Sequence, residues 1–402
     1  MDHFYTDDFF DLTHIVLFNS LGQFFLSFLI PFIAVELIVI NGITMGILFS
    51  LPLLGYFLSS FLAGYLSDKY SKKHIMIIGS IGRGIAYLLL YFAIISLNLN
   101  LLFISNFLLG FLSGFFSIPF DSLVADKTLK ENRSQAYGIR SRSSGKGTFI
   151  GAFIGFTVLL IFNPNRQLMY SAILIFSLAN FYASVKYFTK VSDSKIHEDE
   201  VLSREKDITT HVAELDFKIL GSLVMLFLVT FFFAMEESIV QLFIIPYFLV
   251  NLSSNESIAT FVYIPVGLVS IILGAYIGKR MDKVNYVTGF TICAFLNVLT
   301  IYLLIQTNII PLFSLFLTFN EILTLAITLL LVNIFSSLSK IHRGKFLGFQ
   351  TFLTNFGGII GSFAGGYFWE IYSMHAPFLV AIVLNLIIIP FFIVSLIFLK
   401  DI

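Results

Sequence analysis

Four ionisable side chains stand where an apolar sequence should hold none. Glu236 and Glu237 fall together inside a Phe-rich run, Glu321 lies beside Asn320 in another, and Arg83 sits inside a third. Charge is costly in such surroundings and points to function. A carboxyl group in so apolar a setting can take up and release a proton, as a site that exchanges protons for another solute must. Adjacent residues on a helix point about 100° apart, so Glu236 and Glu237 are not expected to face one cavity together. A structural alternative stays open for the acids, each pairing with a hydroxyl or amide of a neighbouring helix. For Arg83 the structural readings are an ion pair with Asp121 or snorkelling towards the surface.

Other chemistries lack their residues. His14, His74, His342 and His375 stand at the ends of apolar runs, and none lies deep inside one, so a His/carboxylate metal site has no support. No Gly-x-x-x-x-Gly-Lys-Ser/Thr loop is present to cradle ATP. The clustered His, Ser or paired acids of an intramembrane enzyme are not seen either. Cys293 is the lone cysteine; it builds neither a disulfide nor a Cys metal site and reads as a buried thiol. No cofactor is expected. Formal net charge is +0, which argues against a nucleic-acid partner.

The elements that must position these residues are membrane helices. The 402 residues are 57% hydrophobic and 12% charged, with 49 Phe and a mean hydropathy of +0.92; soluble chains carry about 25% charged residues. Apolar runs of roughly 20 residues, the length that crosses a bilayer, recur along the chain. They predict twelve spans, with Asn19 and Gln23 on span 1, Arg83 on span 3, Glu236 and Glu237 on span 7, and Asn320 and Glu321 on span 10. Lys and Arg collect in the loops after the even-numbered spans, while the others hold only Arg166, which puts both termini in the cytoplasm. The N-terminal stretch has no Lys or Arg before Thr13, so a cleavable signal peptide is not expected. A mixed-charge stretch at 189–216 then reads as a cytoplasmic linker between six-helix bundles at 1–188 and 217–402.

A shift of 210 residues reveals duplication. Gly64, Gly79, Gly138, Gly147, Gly151 and Gly155 fall on Gly274, Gly289, Gly348, Gly357, Gly361 and Gly365. An even number of spans separates matched positions, so the halves are parallel repeats. Gly147, Gly151 and Gly155, and likewise Gly357, Gly361 and Gly365, recur every four residues on one helix face, which lets two backbones approach closely in lipid. Permanent packing and a face where the halves part and rejoin are both consistent with that spacing.

After span 2 the chain reads Gly64-Tyr65-Leu66-Ser67-Asp68-Lys69-Tyr70-Ser71-Lys72-Lys73. This resembles the hallmark loop of the major facilitator superfamily, Gly-x-x-x-Asp-Arg/Lys-x-Gly-Arg/Lys-Arg/Lys, with Ser71 replacing the second Gly. Gly278 stands where the second copy would have its Asp. The resemblance implies that Asp68 caps the start of span 11 and that Lys72 joins a gating charge cluster with Asp126 and nearby Arg133. It implies a cavity lined by spans 1, 4, 7 and 10, hence by Asn19, Gln23, Glu236, Glu237, Asn320 and Glu321. The runs Ile118–Asp126 and Arg133–Gly138 look like the drug-exporter branch, although Asn106 replaces that branch's span 4 Arg and span 5 lacks its Gly-Pro pair. The expectation is a monomeric secondary transporter of the plasma membrane, all-α, working by alternating access and exporting small amphipathic compounds against protons. A metabolite or sugar uniporter or symporter is the alternative, and a receptor-like protein of the same fold a further one.

Overall fold

A chain this apolar must satisfy its own backbone wherever it lies in lipid, and a helix does so within one segment. The computed structural model describes residues 4–36, 41–129, 132–193, 217–281, 283–337 and 343–399, and among them the regular structure is helical apart from one isolated bridge between Tyr5 and Thr128. The helices run α1 (Phe9–Ser20), α2 (Gln23–Glu36), α3 (Gly42–Lys69), α4 (Lys72–Ser96), α5 (Leu99–Asp126), α6 (Arg133–Phe162), α7 (Arg166–Met169), α8 (Ala172–Lys190), α9 (Phe217–Asn251), α10 (Glu256–Met281), α11 (Tyr286–Gln306), α12 (Ile310–Ser337), α13 (Arg343–Ile371) and α14 (Ala376–Leu399). Among the described residues ten segments are long and apolar enough to cross a membrane, one of them formed by α1 with α2 and another by α7 with α8. The long helices α10 and α13 stand where spans 8 and 11 are expected. Polar side chains close the turns: Ser71, Asn98, Asn165 and Asn285 accept hydrogen bonds from the first turns of α4, α5, α7 and α11. Large apolar side chains such as Phe153, Leu178 and Phe261 are exposed, as contact with lipid hydrocarbon allows.

The chain forms two compact units that do not follow chain order. One comprises Met1–Phe25 with Gly55–Asp216, the other Leu26–Leu54 with Phe217–Ile402. The second unit gains the 26–54 segment through small residues. A Cβ on Gly46 would strike the Ser362 carbonyl, one on Gly366 would strike Gly42, and the Gly42 N–H donates to Glu370 Oε2 at 2.8 Å. Within the first unit, Phe9, Leu12 and Val16 of α1 pack with Met76 of α4, Phe120 of α5 and Tyr187 of α8. In the second, Val229 of α9 packs with Phe290 and Cys293 of α11, Leu330 of α12 and Phe392 of α14. Of the central linker only Thr189–Asp193 belongs to the described residues; 194–216, together with Lys130, Lys340 and His342, lies outside them.

Candidate functional site

The adjacent acids of α9 part company. Glu236 is 1% exposed, and its Oε2 is buried without a hydrogen-bond partner. Glu237, about 100° round the helix, is half-buried and meets Gln241 one turn further on, whose amide nitrogen lies 3.4 Å from Glu237 Oε1. The same nitrogen lies 3.4 Å from Glu321 Oε2 on α12, so one carboxamide joins two carboxylates from different helices. Tyr263 of α10 is buried beside them within the electrostatic reach of Glu321, its hydroxyl 3.3 Å from Ser27 and its ring 5.5 Å from that of Phe28, both on α2. Ser27, Glu237, Gln241, Tyr263 and Glu321 thus converge from four helices of one unit.

Glu237 and Glu321 were expected together. Gln241 and Tyr263 were not, though Gln241 stands at the i+4 position from Glu237, where helix side chains meet. Ser27 had a signal too, since it is the repeat partner of Glu237 at the 210-residue shift. The expectation of Asn320 as cavity lining is corrected: it is 5% exposed and its amide reaches Thr300 on α11 at 3.5 Å, because the 100° step from Glu321 turns it into the bundle.

Asn19 is corrected in the same way. It is fully buried in the first unit, donating to Ser80 at 2.8 Å and to the Asn180 side chain at 2.9 Å. The reason is a break in the first span. Gly22 adopts φ +86°, α1 stops at Ser20, and α2 starts afresh at Gln23. A broken helix frees carbonyls at its C-terminal end, where cations are also favoured. Arg83 supplies one, donating from Nη2 to the Asn19 carbonyl at 2.7 Å while its guanidinium lies 5.3 Å from the Phe116 ring centre. Asp121, the partner the sequence offered to Arg83, pairs with Arg140 at 3.1 Å. Gln23 remains exposed on the first turn of α2 and accepts from the Thr148 hydroxyl at 3.3 Å.

Comparison with known proteins bears on this arrangement of helices. The sequence profile of the Major Facilitator Superfamily matches residues 12–283 and 226–401. The chain belongs to the major facilitator superfamily. An uncharacterized MFS-type transporter of Bacillus subtilis (strain 168), YqjV, is 27% identical over 146 residues, which is 35% of this chain and 34% of that protein, so the match spans about a third of its length. The fold resembles the D-xylose-proton symporter (TM-score 0.77, 12% identity, 96% of each chain). It also resembles the nucleoside transporter NupG (TM-score 0.70, 14% identity, 98% of this chain and 100% of that one). A third likeness is to a bacterial homologue of the human lysosomal transporter Spinster (TM-score 0.71, 13% identity, 97% and 95%). The chain is therefore a multi-pass membrane protein with the all-α fold of this superfamily.

The superfamily's loop joins α3 to α4. Lys72 forms a 2.6 Å ion pair with Asp126 at the end of α5, and both Asp126 and Arg133, at the start of α6, act electrostatically on Tyr137. Lys73 donates to the Phe188 carbonyl at 2.9 Å, Lys69 lies against Tyr65, and Asp68 is exposed on the last turn of α3. Nothing within 4 Å would meet a Cβ on Gly64. Asp193 adds a contact the motif does not announce: it accepts from the Ser71 hydroxyl and from the Lys73 N–H (3.0 Å), tying the root of the linker to this loop. Close by, Asp8 holds the fully buried Lys127 at 2.7 Å and accepts from the Ser192 N–H at 2.7 Å. Burial pushes the Asp8 carboxyl up, but Lys127, Ser192 and Thr6 outweigh it and hold its pKa at about 2.

Both glycine stripes pack inside their own units. A Cβ on Gly147, Gly151 or Gly155 would strike Leu17, Gly22 or Phe25 of the first span, and one on Gly357, Gly361 or Gly365 would strike Phe231, Met235 or Phe243 of α9. α13 carries a second small face one residue round, Gly358, Ser362 and Gly366, set against Leu53, Gly46 and Gly42.

Proposed function

We propose that this transporter works by alternating access in the plasma membrane and exports small amphipathic cations in exchange for protons. Glu237 and Glu321 form the exchange site. The observation that supports it is the Glu237–Gln241–Glu321 cluster, in which two acids on membrane helices share one neutral amide. An amide does not balance two negative charges; a proton or a cationic solute does, and the two compete for the same oxygens. Glu236, buried without a hydrogen-bond partner for Oε2, is a third carboxyl, able to hold a proton away from solute. Asp68, Lys69, Lys72, Lys73, Asp126 and Arg133 act as the cytoplasmic gate, with both chain termini on that side. The functional unit is a monomer whose six-helix halves, 1–188 and 217–402, flank the 189–216 linker.

Proteoliposomes loaded with a cationic dye test the reading. An imposed pH gradient should drive efflux from wild-type vesicles, and Glu237→Gln or Glu321→Gln should slow it at least about tenfold. Gradient-driven efflux that survives both substitutions, or its absence in wild type alongside uptake of a pentose or nucleoside, would overturn the proposal.

A further inference from the structure

Two sides of α6 differ in character. On one, Gly147, Gly151 and Gly155 press on the first span, and Arg140 reaches Asp121 at 3.1 Å. Roughly half a turn round, at 100° per residue, Gln135, Gly138, Arg142, Lys146, Phe149 and Phe153 share one exposed face. Arg142 and Lys146 stand one turn apart on it. Neither side chain makes an ion pair or hydrogen bond among the described residues, whose ion pairs engage Lys72, Lys127, Arg140 and Lys190. Gly138 and Gly145 flank Arg142, and a Cβ on either would meet nothing within 4 Å, so the cations border open notches and no packed neighbour.

Depth gives this face its meaning. Counted back from the end of α6 at Phe162, the roughly 20 residues that cross the hydrocarbon core reach about residue 143. Arg142 therefore stands at the boundary, at the end that the loop charges place in the cytoplasm. Lys146 lies about 5 Å further in, near enough for its stem to carry the ammonium back to the surface. Phe149 and Phe153, 38% and 68% exposed, continue the face inward. From Arg142 to Phe153 is about 17 Å, close to the hydrocarbon depth of one leaflet.

The second half shows that this depth does not by itself demand cations. At the 210-residue shift Arg142 and Lys146 fall on Phe352 and Phe356, whose rings stack 6.2 Å apart.

From this placement we infer that the exposed face of α6 is a binding site for an anionic phospholipid of the cytoplasmic leaflet. The lipid phosphate sits between the Arg142 guanidinium and the Lys146 ammonium, which offer it charge-assisted hydrogen bonds. An acyl chain follows Phe149 and Phe153 inward. A soluble anion would match the cations and leave the aromatic part of the face without a role. The site is separate from the proposed exchange site and does not depend on which solute is carried; it shares with that proposal only the cytoplasmic placement of the chain ends.

Native mass spectrometry of the full-length protein in detergent tests it, with dioleoylphosphatidylglycerol titrated against dioleoylphosphatidylcholine. Wild type should bind the anionic lipid at least about tenfold tighter than the zwitterionic one. Arg142→Gln combined with Lys146→Gln should bring the two lipids to within about twofold of each other. Lys279→Gln combined with Lys283→Gln removes the same charge from another basic loop and should leave the preference intact. Equal binding of the two lipids by wild type, or an equal loss of preference in both double variants, would overturn the inference. So would displacement of the anionic lipid by an equal concentration of glycerol 3-phosphate, which marks a site for soluble anions. The wild-type titration and the competition need no variant, so a poorly folding substitution does not blunt the test.

Discussion

The first span and the seventh are repeat partners, yet they spend their polar residues differently. Span 1 breaks at Gly22, and Asn19 just before the break is locked into the bundle: its amide donates to Ser80 and Asn180, and its carbonyl accepts from Arg83 of α4. Span 7 is one unbroken helix, Phe217–Asn251, and offers Glu237 and Gln241 to a neighbouring acid. Shifted by 210, Asn19, Ser80 and Arg83 fall on Val229, Phe290 and Cys293, all members of one apolar core. In the other direction Glu237 falls on Ser27, and Glu321 on Phe111. Duplication thus keeps the scaffold, above all the glycine stripes, while the polar groups diverge: those of the first half brace a helix break, and those of the second include the Glu237–Gln241–Glu321 cluster.

The sharpest way to break this comparison is at the shared scaffold. Gly151→Ala and Gly361→Ala each drive a methyl into backbone, at Gly22 and Met235 respectively. Both should lower stability by about 3 kcal/mol, the upper end of overpacking costs, seen as equal losses of thermal midpoint in detergent. A large loss in one half only would mean that the stripes are not equivalent.

Next comes the diverged pair. Arg83→Met strands the freed Asn19 carbonyl and should cost about 2 kcal/mol, whereas Cys293→Ala, at the partner position, should cost about 1 or less. Equal costs in thermal unfolding would show that Arg83 does not brace the break.

A smaller effect separates the units in acid. The Asp8 carboxyl, held at about 2 in the folded protein, has an ordinary value near 3.8. Its contribution is therefore complete above that ordinary value and lost as pH falls towards 2. It amounts to about 1 kcal/mol once solvent screening is allowed for. The midpoint gap between wild type and Asp8→Asn should be open at pH 5 and close on acidification; a gap that persists would contradict the assignment. Smallest of all, Gly138→Ala and Gly348→Ala meet nothing within 4 Å and should leave stability unchanged or raise it slightly, by up to about 1 kcal/mol.

Much of this was legible in the residues. Long apolar runs gave the helices, the 210-residue period gave two equivalent scaffolds, and the loop at Gly64–Lys73 pointed to the superfamily. What the sequence hid was direction around a helix. Asn19 and Asn320 read as cavity lining because type and span were visible, whereas the break at Gly22 and the 100° step beside Glu321 were not. Gln241 carries no charge, and amides in apolar runs are easily passed over, so its place between two acids emerged only from its side chain's approach to Glu321 of α12. The membership of Leu26–Leu54 in the second unit was likewise hidden, since it depends on Gly42 and Gly46 meeting small residues more than three hundred positions away.

The Asp8 clamp has a consequence for the order in which the chain is made. Its partners, Lys127 and Ser192, follow it by 119 and 184 positions, so Asp8 can meet Lys127 once α5 is made, and the clamp closes only when α8 is complete. Asp8 then fastens the segment before α1 to the point where the linker leaves α8.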